Sequence, residues 1–100
     1  AMAANCLAQV GGGVTVWKDG SELALVELPI AGLMSDAPAA TIAAKTGLMV
    51  QAMADCGCEL NNAFMQHSLL ALVVIPELRI SDLGLVDVTK FEITSVLKGA

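Results

Sequence analysis

Apolar and polar positions alternate unevenly along this chain, and changes of rhythm mark its elements. Residues 2–10 suit a short helix, ended by Gly11, Gly12 and Gly13. Val14 to Lys18 is β-branched and partly alternating. Asp19-Gly20 then supplies a turn, and Leu23 to Leu28 makes a second strand that ends at Pro29. A DG pair between two such runs is among the better short-range hairpin signals.

Pro29 to Asp36 reads as a loop. Asp36 is placed to cap a following helix, and Pro38 is tolerated in its first turn. Ile42, Met49, Met53 and Cys56 fall at helical spacing, with Ala43, Leu48 and Ala52 widening the stripe. The spacing predicts a helix over roughly 37–56, terminated by Gly57 at the position after its cap. Gly47 inside that helix costs about 1 kcal/mol relative to alanine, which points to close packing there.

Phe64 to Ile75 is ambiguous, because almost every residue from Leu69 onward is apolar and neither period wins. Val73-Val74-Ile75 before Pro76 favours a buried strand after a turn at Asn61-Asn62; a helix over 63–72 is the alternative. Glu77 to Ile80 suits a short strand, Ser81 to Gly84 a turn, and Val88 to Val96 a last strand or irregular tail. The expected architecture is α+β: a β-hairpin, a long helix and further strands, with helix covering one face of a small sheet.

Composition changes the picture in one respect. Hydrophobic residues make up 56% of the 100, against the roughly 45–50% usual for soluble domains, while aromatics are 3%. A single domain of this size shows much of its surface to water, so such a chain exposes an apolar patch or buries it in a partner. Its first residues, AMAANCLAQV, resemble a helix already under way, as in a domain cut from a longer protein.

Charge excludes more than it suggests. A net charge of −5, with only Lys18, Lys45, Arg79, Lys90 and Lys98 as scattered cations, argues against nucleic acid or an anionic membrane as partner. The apolar run Leu69 to Ile75 is far short of the ~20 residues of a membrane helix. No signal peptide is visible. Three cysteines, an odd number, fit reduced thiols in a cytoplasm.

Candidate chemistry is sparse. Cys6, Cys56, Cys58 and His67 number enough ligands for one tetrahedral zinc, but C-x-C is a poor spacing for it. Core or loop thiols explain the cysteines better. His67-Ser68 are adjacent and, in a strand, would point to opposite faces. No G-x-S-x-G elbow is present. The triple glycine opens a strand rather than a helix, so it frames no phosphate site. Among the carboxylates Asp36 stands out, since it sits in a glycine-containing loop, although helix capping explains it more simply.

IAGLMSD at 30–36, ADCGCEL at 54–60 and FMQHSLLALVVIPELRISDLGLVDVTKFE at 64–92 resemble the C-terminal domain of bacterial adenine deaminases. GGGVTVWKDG and the strand ending in ELPIAGLMSD fit the same region, so the resemblance runs from about Met2 to Glu92. It implies a parent of the amidohydrolase type, with a metal-bearing barrel that hydrolyses adenine to hypoxanthine and ammonia. There a divalent metal (manganese, iron or zinc) activates the attacking hydroxide.

The barrel's H-x-H pair and further histidines have no counterpart in a chain whose one histidine is His67. The expectation is therefore a single domain over 1–100, without catalytic residues, metal or cofactor of its own, that packs on the barrel of the same polypeptide as scaffold or lid. Ser35, Asp36, His67 and Ser68 are the candidates for positions near the substrate. The rival reading is a stand-alone interaction module whose apolar face pairs with a second copy.

Overall fold

A computed structural model of the chain describes residues 1–99, which group into two compact units, Ala1–Ala63 and Phe64 onward. The first unit begins with α1 (Met2–Val10) and continues into an antiparallel hairpin of β1 (Gly13–Lys18) and β2 (Ser21–Glu27). Asp19 and Gly20 both have positive φ, as the expected two-residue turn requires. Val16 pairs with Ala24 and Trp17 with Glu22, so the register shifts between them, with Leu23 as the additional residue.

The glycine run makes the passage from α1 to β1 possible. The Gly11 and Gly12 amides both close onto the Leu7 carbonyl. Gly12 then accepts a hydrogen bond from the Leu28 amide at 3.0 Å. A Cβ on Gly12 would stand 2.8 Å from the Gly32 α-carbon, and one on Gly13 would run into the Val26 carbonyl.

The long helix α2 (Ala39–Asp55) packs on both strands of the hairpin. Met49, 1% exposed, and Ala52 are its buried residues, and Ala24 and Val26 are those of β2. The half-buried positions Ile42, Lys45, Thr46 and Met53 complete the inward stripe. Leu48, Ala43 and Cys56, expected on that stripe, are exposed. A two-stranded ribbon covers only a narrow face of a helix, narrower than the stripe of apolar residues along it. The close packing expected at Gly47 is also absent: no atom of another element lies within 4 Å of where its Cβ would be.

Helix α2 stops as expected. Gly57 has φ 90°, its amide bonds to the Ala54 carbonyl, and the Cys58 amide bonds to that of Met53. Those two bonds are the paired closure of a Schellman motif. The start differs from expectation. Pro38 occupies the N-cap, no side chain caps the helix, and Asp36 is exposed. Ser35 Oγ instead accepts from the Ala37 amide at 3.0 Å, so the serine organises the entry that the aspartate was expected to cap.

In the second unit the favoured buried strand over 64–75 is replaced by the helical alternative. α3 (Ala63–Ser68) runs into a 3-10 turn at Leu69–Ala71. Leu69, Leu70, Leu72, Val73 and Val74 are all exposed. A buried strand needs a neighbour to pair with and two covered faces; the unit's sheet is small and already paired elsewhere. That sheet is β3 (Leu78–Ser81), β4 (Gly84–Asp87) and β5 (Glu92–Ile93), antiparallel and in sequence order. Strand β4 takes in Gly84, expected as the end of a turn, and residues 85–87, for which the sequence predicts no element. Among the described residues, Val88 alone of the buried apolar core lies in this unit, its amide held by the Glu77 carbonyl at 2.9 Å.

The outcome is the α+β architecture expected from the sequence. No helix among the described residues is long and apolar enough to cross a membrane.

Candidate functional site

Ser35 and Asp36 follow a tight turn at residues 30–34. Ile30 and Met34 bridge, the Ile30 amide bonding to the Met34 carbonyl at 3.0 Å and the Met34 amide to that of Ile30 at 3.1 Å. Ala31 and Gly32 between them have φ 58° and 72°, the pair of positive values found in primed turns. This turn borders an open cleft of about 570 Å³ lined by Leu28, Leu33, Met34, Ser35, Ala37, Ala39, Ile42 and Ala43. Its lining offers one hydroxyl, that of Ser35, and no titratable side chain. Such a cleft can seat an apolar group, but proton transfer needs an acid or base that its walls lack.

His67 and Ser68 lie in the second unit, at the end of α3, both exposed. They were expected on opposite faces of a strand; on a helix they are instead neighbours about 100° apart. Ser68 Oγ donates to the Met65 carbonyl at 2.7 Å, a local bond that ends the helix rather than activating a nucleophile. Ser35 and Asp36 on one hand, and His67 and Ser68 on the other, thus belong to different units, and each pair is placed only within its own.

Cys6 has the one clearly perturbed thiol. It sits beside a second cleft, of about 340 Å³, lined by Met2, Asn5, Cys6, Gln9, Trp17 and Glu22. Its Sγ donates to Glu22 Oε2 at 3.5 Å. Partial burial pushes the thiol pKa up, and the hydrogen bond to Glu22 and the negative charges of Glu22 and Glu27 add to it. The result is a thiol that keeps its proton, the opposite of an activated nucleophile. Sequence spacing gave no sign of this pair, because sixteen positions and a strand register separate its members.

Two further contacts tie the first unit together. Trp17 Nε1 donates to Thr15 Oγ1 at 3.0 Å, and that hydroxyl donates to the Ala24 carbonyl at 2.7 Å. Lys45 of α2 reaches Glu27 of β2 at 3.0 Å. Among the described residues no group of three or more histidine, cysteine, aspartate or glutamate side chains could hold a metal ion.

These features define an α+β chain whose polar side chains serve turns and cross-links. Over residues 1–92 the sequence matches the family model described as adenine deaminase C-terminal domain. An adenine deaminase of Ruegeria pomeroyi is 74% identical over 98 residues, which cover 98% of this chain and 16% of that protein. An adenine deaminase of Roseobacter denitrificans is 74% identical over the same share of both chains. An adenine deaminase of Moorella thermoacetica is 46% identical over 99 residues, 99% of this chain and 17% of that protein. No solved structure matches. The chain belongs to the adenine deaminase C-terminal domain family. It spans 16–17% of the length of these curated relatives.

Proposed function

We propose that this chain is the C-terminal part of an adenine deaminase, a cytoplasmic enzyme of purine metabolism, and that it supplies shape rather than reactive groups. The parent's reaction would be hydrolysis of adenine to hypoxanthine and ammonia, at a centre carried by its barrel. The divalent metal of such a centre would supply the activated hydroxide. The described residues here do not fit that metal: no adequate donor cluster exists among them, and burial, then Glu22, pushes the Cys6 thiol pKa up, away from the thiolate a metal binds. No step of the reaction is therefore assigned to this chain.

One observation carries the reading. The buried apolar core is Ala24, Val26, Met49, Ala52 and Val88, while Leu33, Leu83, Phe91, Val96 and Leu97 are all more than 70% exposed. Large apolar side chains left exposed on each unit, against so small a core, are the signature of surface made to be covered. With relatives about six times longer than this chain, the rest of the same polypeptide is the cover we favour, with the domain acting as scaffold or lid. Such a domain would need no metal or cofactor of its own.

The test is to remove the domain from a full-length deaminase and return it as a separate chain. Loss of activity or stability on truncation, restored by the added domain, is the expected result. A truncated enzyme with unchanged kcat/KM and unchanged Tm would overturn the reading. Asp36→Asn and His67→Gln in the full-length enzyme then decide the substrate-proximal candidates. Unchanged kcat/KM with unchanged stability removes both, and Ser35→Ala and Ser68→Ala ask the same of their neighbours.

A further inference from the structure

We propose that the apolar turn at residues 30–34 is the anchor by which this domain seats on the remainder of its parent polypeptide. The inference rests on the reading that the chain is one part of a longer deaminase, and it names the contact.

Surface loops that face water are built of polar residues. From Leu28 to Ser35 this loop contains no charged residue, and its one polar side chain is Ser35. Its apolar side chains are turned outward: Leu33 is 78% exposed and Met34 60%.

The turn is also stiff. Hydrogen bonds in both directions between Ile30 and Met34 close it, and the Leu33 amide adds a third to the Ile30 carbonyl at 3.1 Å. Ala31 is held at φ 58°, a conformation that costs a non-glycine residue about 1–2 kcal/mol. Behind the turn, Gly12 packs so close to Gly32 that there is no room for a side chain. A backbone fixed before binding loses little freedom on binding, which is what distinguishes an anchor from a loop that merely touches.

The occupant follows from chemistry and tethering. Uncharged walls and an apolar tip select an apolar recess, not an acidic or basic partner. The curated relatives extend well beyond the matched segment, so that recess can lie on the same polypeptide. A covalently tethered surface is present at an effective concentration on the order of millimolar, which a second copy in solution does not reach.

The test uses the wild-type full-length deaminase treated with hydrogen peroxide, with oxidation at Met34 followed by peptide mass spectrometry. A seated anchor slows Met34 oxidation by about tenfold or more relative to the same protein in denaturant. Leu33→Cys, Phe91→Cys and Asp19→Cys variants, labelled with a maleimide, supply the comparison. The proposal expects Leu33→Cys to label much more slowly than Asp19→Cys, at all protein concentrations. If Met34 oxidises freely and Leu33→Cys labels like Asp19→Cys while Phe91→Cys is protected, the anchor is overturned and the domain reading survives. If Phe91→Cys is open as well, the domain reading fails with it. Protection that disappears on dilution assigns the turn to a second copy and overturns the proposal.

Discussion

The α-carbon of Gly32 stands where a side chain on Gly12 would have to go, 2.8 Å from the position of its Cβ. The helix-to-strand turn and the loop after β2 therefore press backbone on backbone, and glycine at position 12, with φ 122°, satisfies both the space and the conformation. Gly12→Ala is expected to destabilise the first unit by about 1–3 kcal/mol. The urea midpoint read by Trp17, the single tryptophan of the chain, checks it. An unchanged midpoint would mean that the loop yields without cost.

Gly47 predicts the opposite sign. It lies inside α2 with open space around its Cβ position, so alanine should add helix propensity without a clash. Gly47→Ala is expected to stabilise the chain by about 0.5–1 kcal/mol. The same substitution in a full-length deaminase asks more. Stabilisation in the chain with loss in the parent would show that this face of α2 is closely approached there.

Cys6 gives a pH dependence. Its thiol pKa is raised in the folded chain above the ordinary 9.0, by partial burial and then by Glu22 and Glu27. On unfolding the thiol becomes the stronger acid, so the unfolded chain holds fewer protons in alkaline solution. The contribution to stability is whole below pH 9.0 and is lost as pH rises through the folded value. Unfolding midpoints across that range, compared with Cys6→Ser, isolate it. Glu22→Gln removes one raising charge, so iodoacetamide should alkylate Cys6 faster at a fixed mildly alkaline pH.

The Lys45–Glu27 pair should matter little. Its side chains are more than a third exposed, and the 3.0 Å contact crosses from α2 to β2 in water's reach. Lys45→Met or Glu27→Gln is expected to cost less than about 1 kcal/mol, with the difference shrinking in high salt. Loss of the hairpin's circular-dichroism signal in either variant would contradict this.

The first unit was largely legible in the sequence because its signals are local. Asp19-Gly20 dictates a turn, Gly57 dictates a helix end, and the residues between Pro38 and Cys56 carry one period. Errors there came from competition between neighbours: Ser35 organises the entry expected of Asp36, and Leu48 lies beyond the narrow face that a hairpin covers. The second unit was less legible. From Leu69 to Ile75 all residues are apolar, so periodicity carries no information. What would distinguish inside from outside there is a contrast of polar and apolar positions, and the run offers none. The Cys6–Glu22 pair was invisible for a related reason, since only the folded register brings its members together.

As proposed, the reactive groups of the parent enzyme lie outside these 100 residues. The direct measurement is ammonia release from adenine by the purified 100-residue chain, with folding verified by Trp17 fluorescence and full-length deaminase assayed beside it. No release above the buffer blank, with or without added divalent metal, is the expected result. Sustained turnover by the folded chain alone would contradict it.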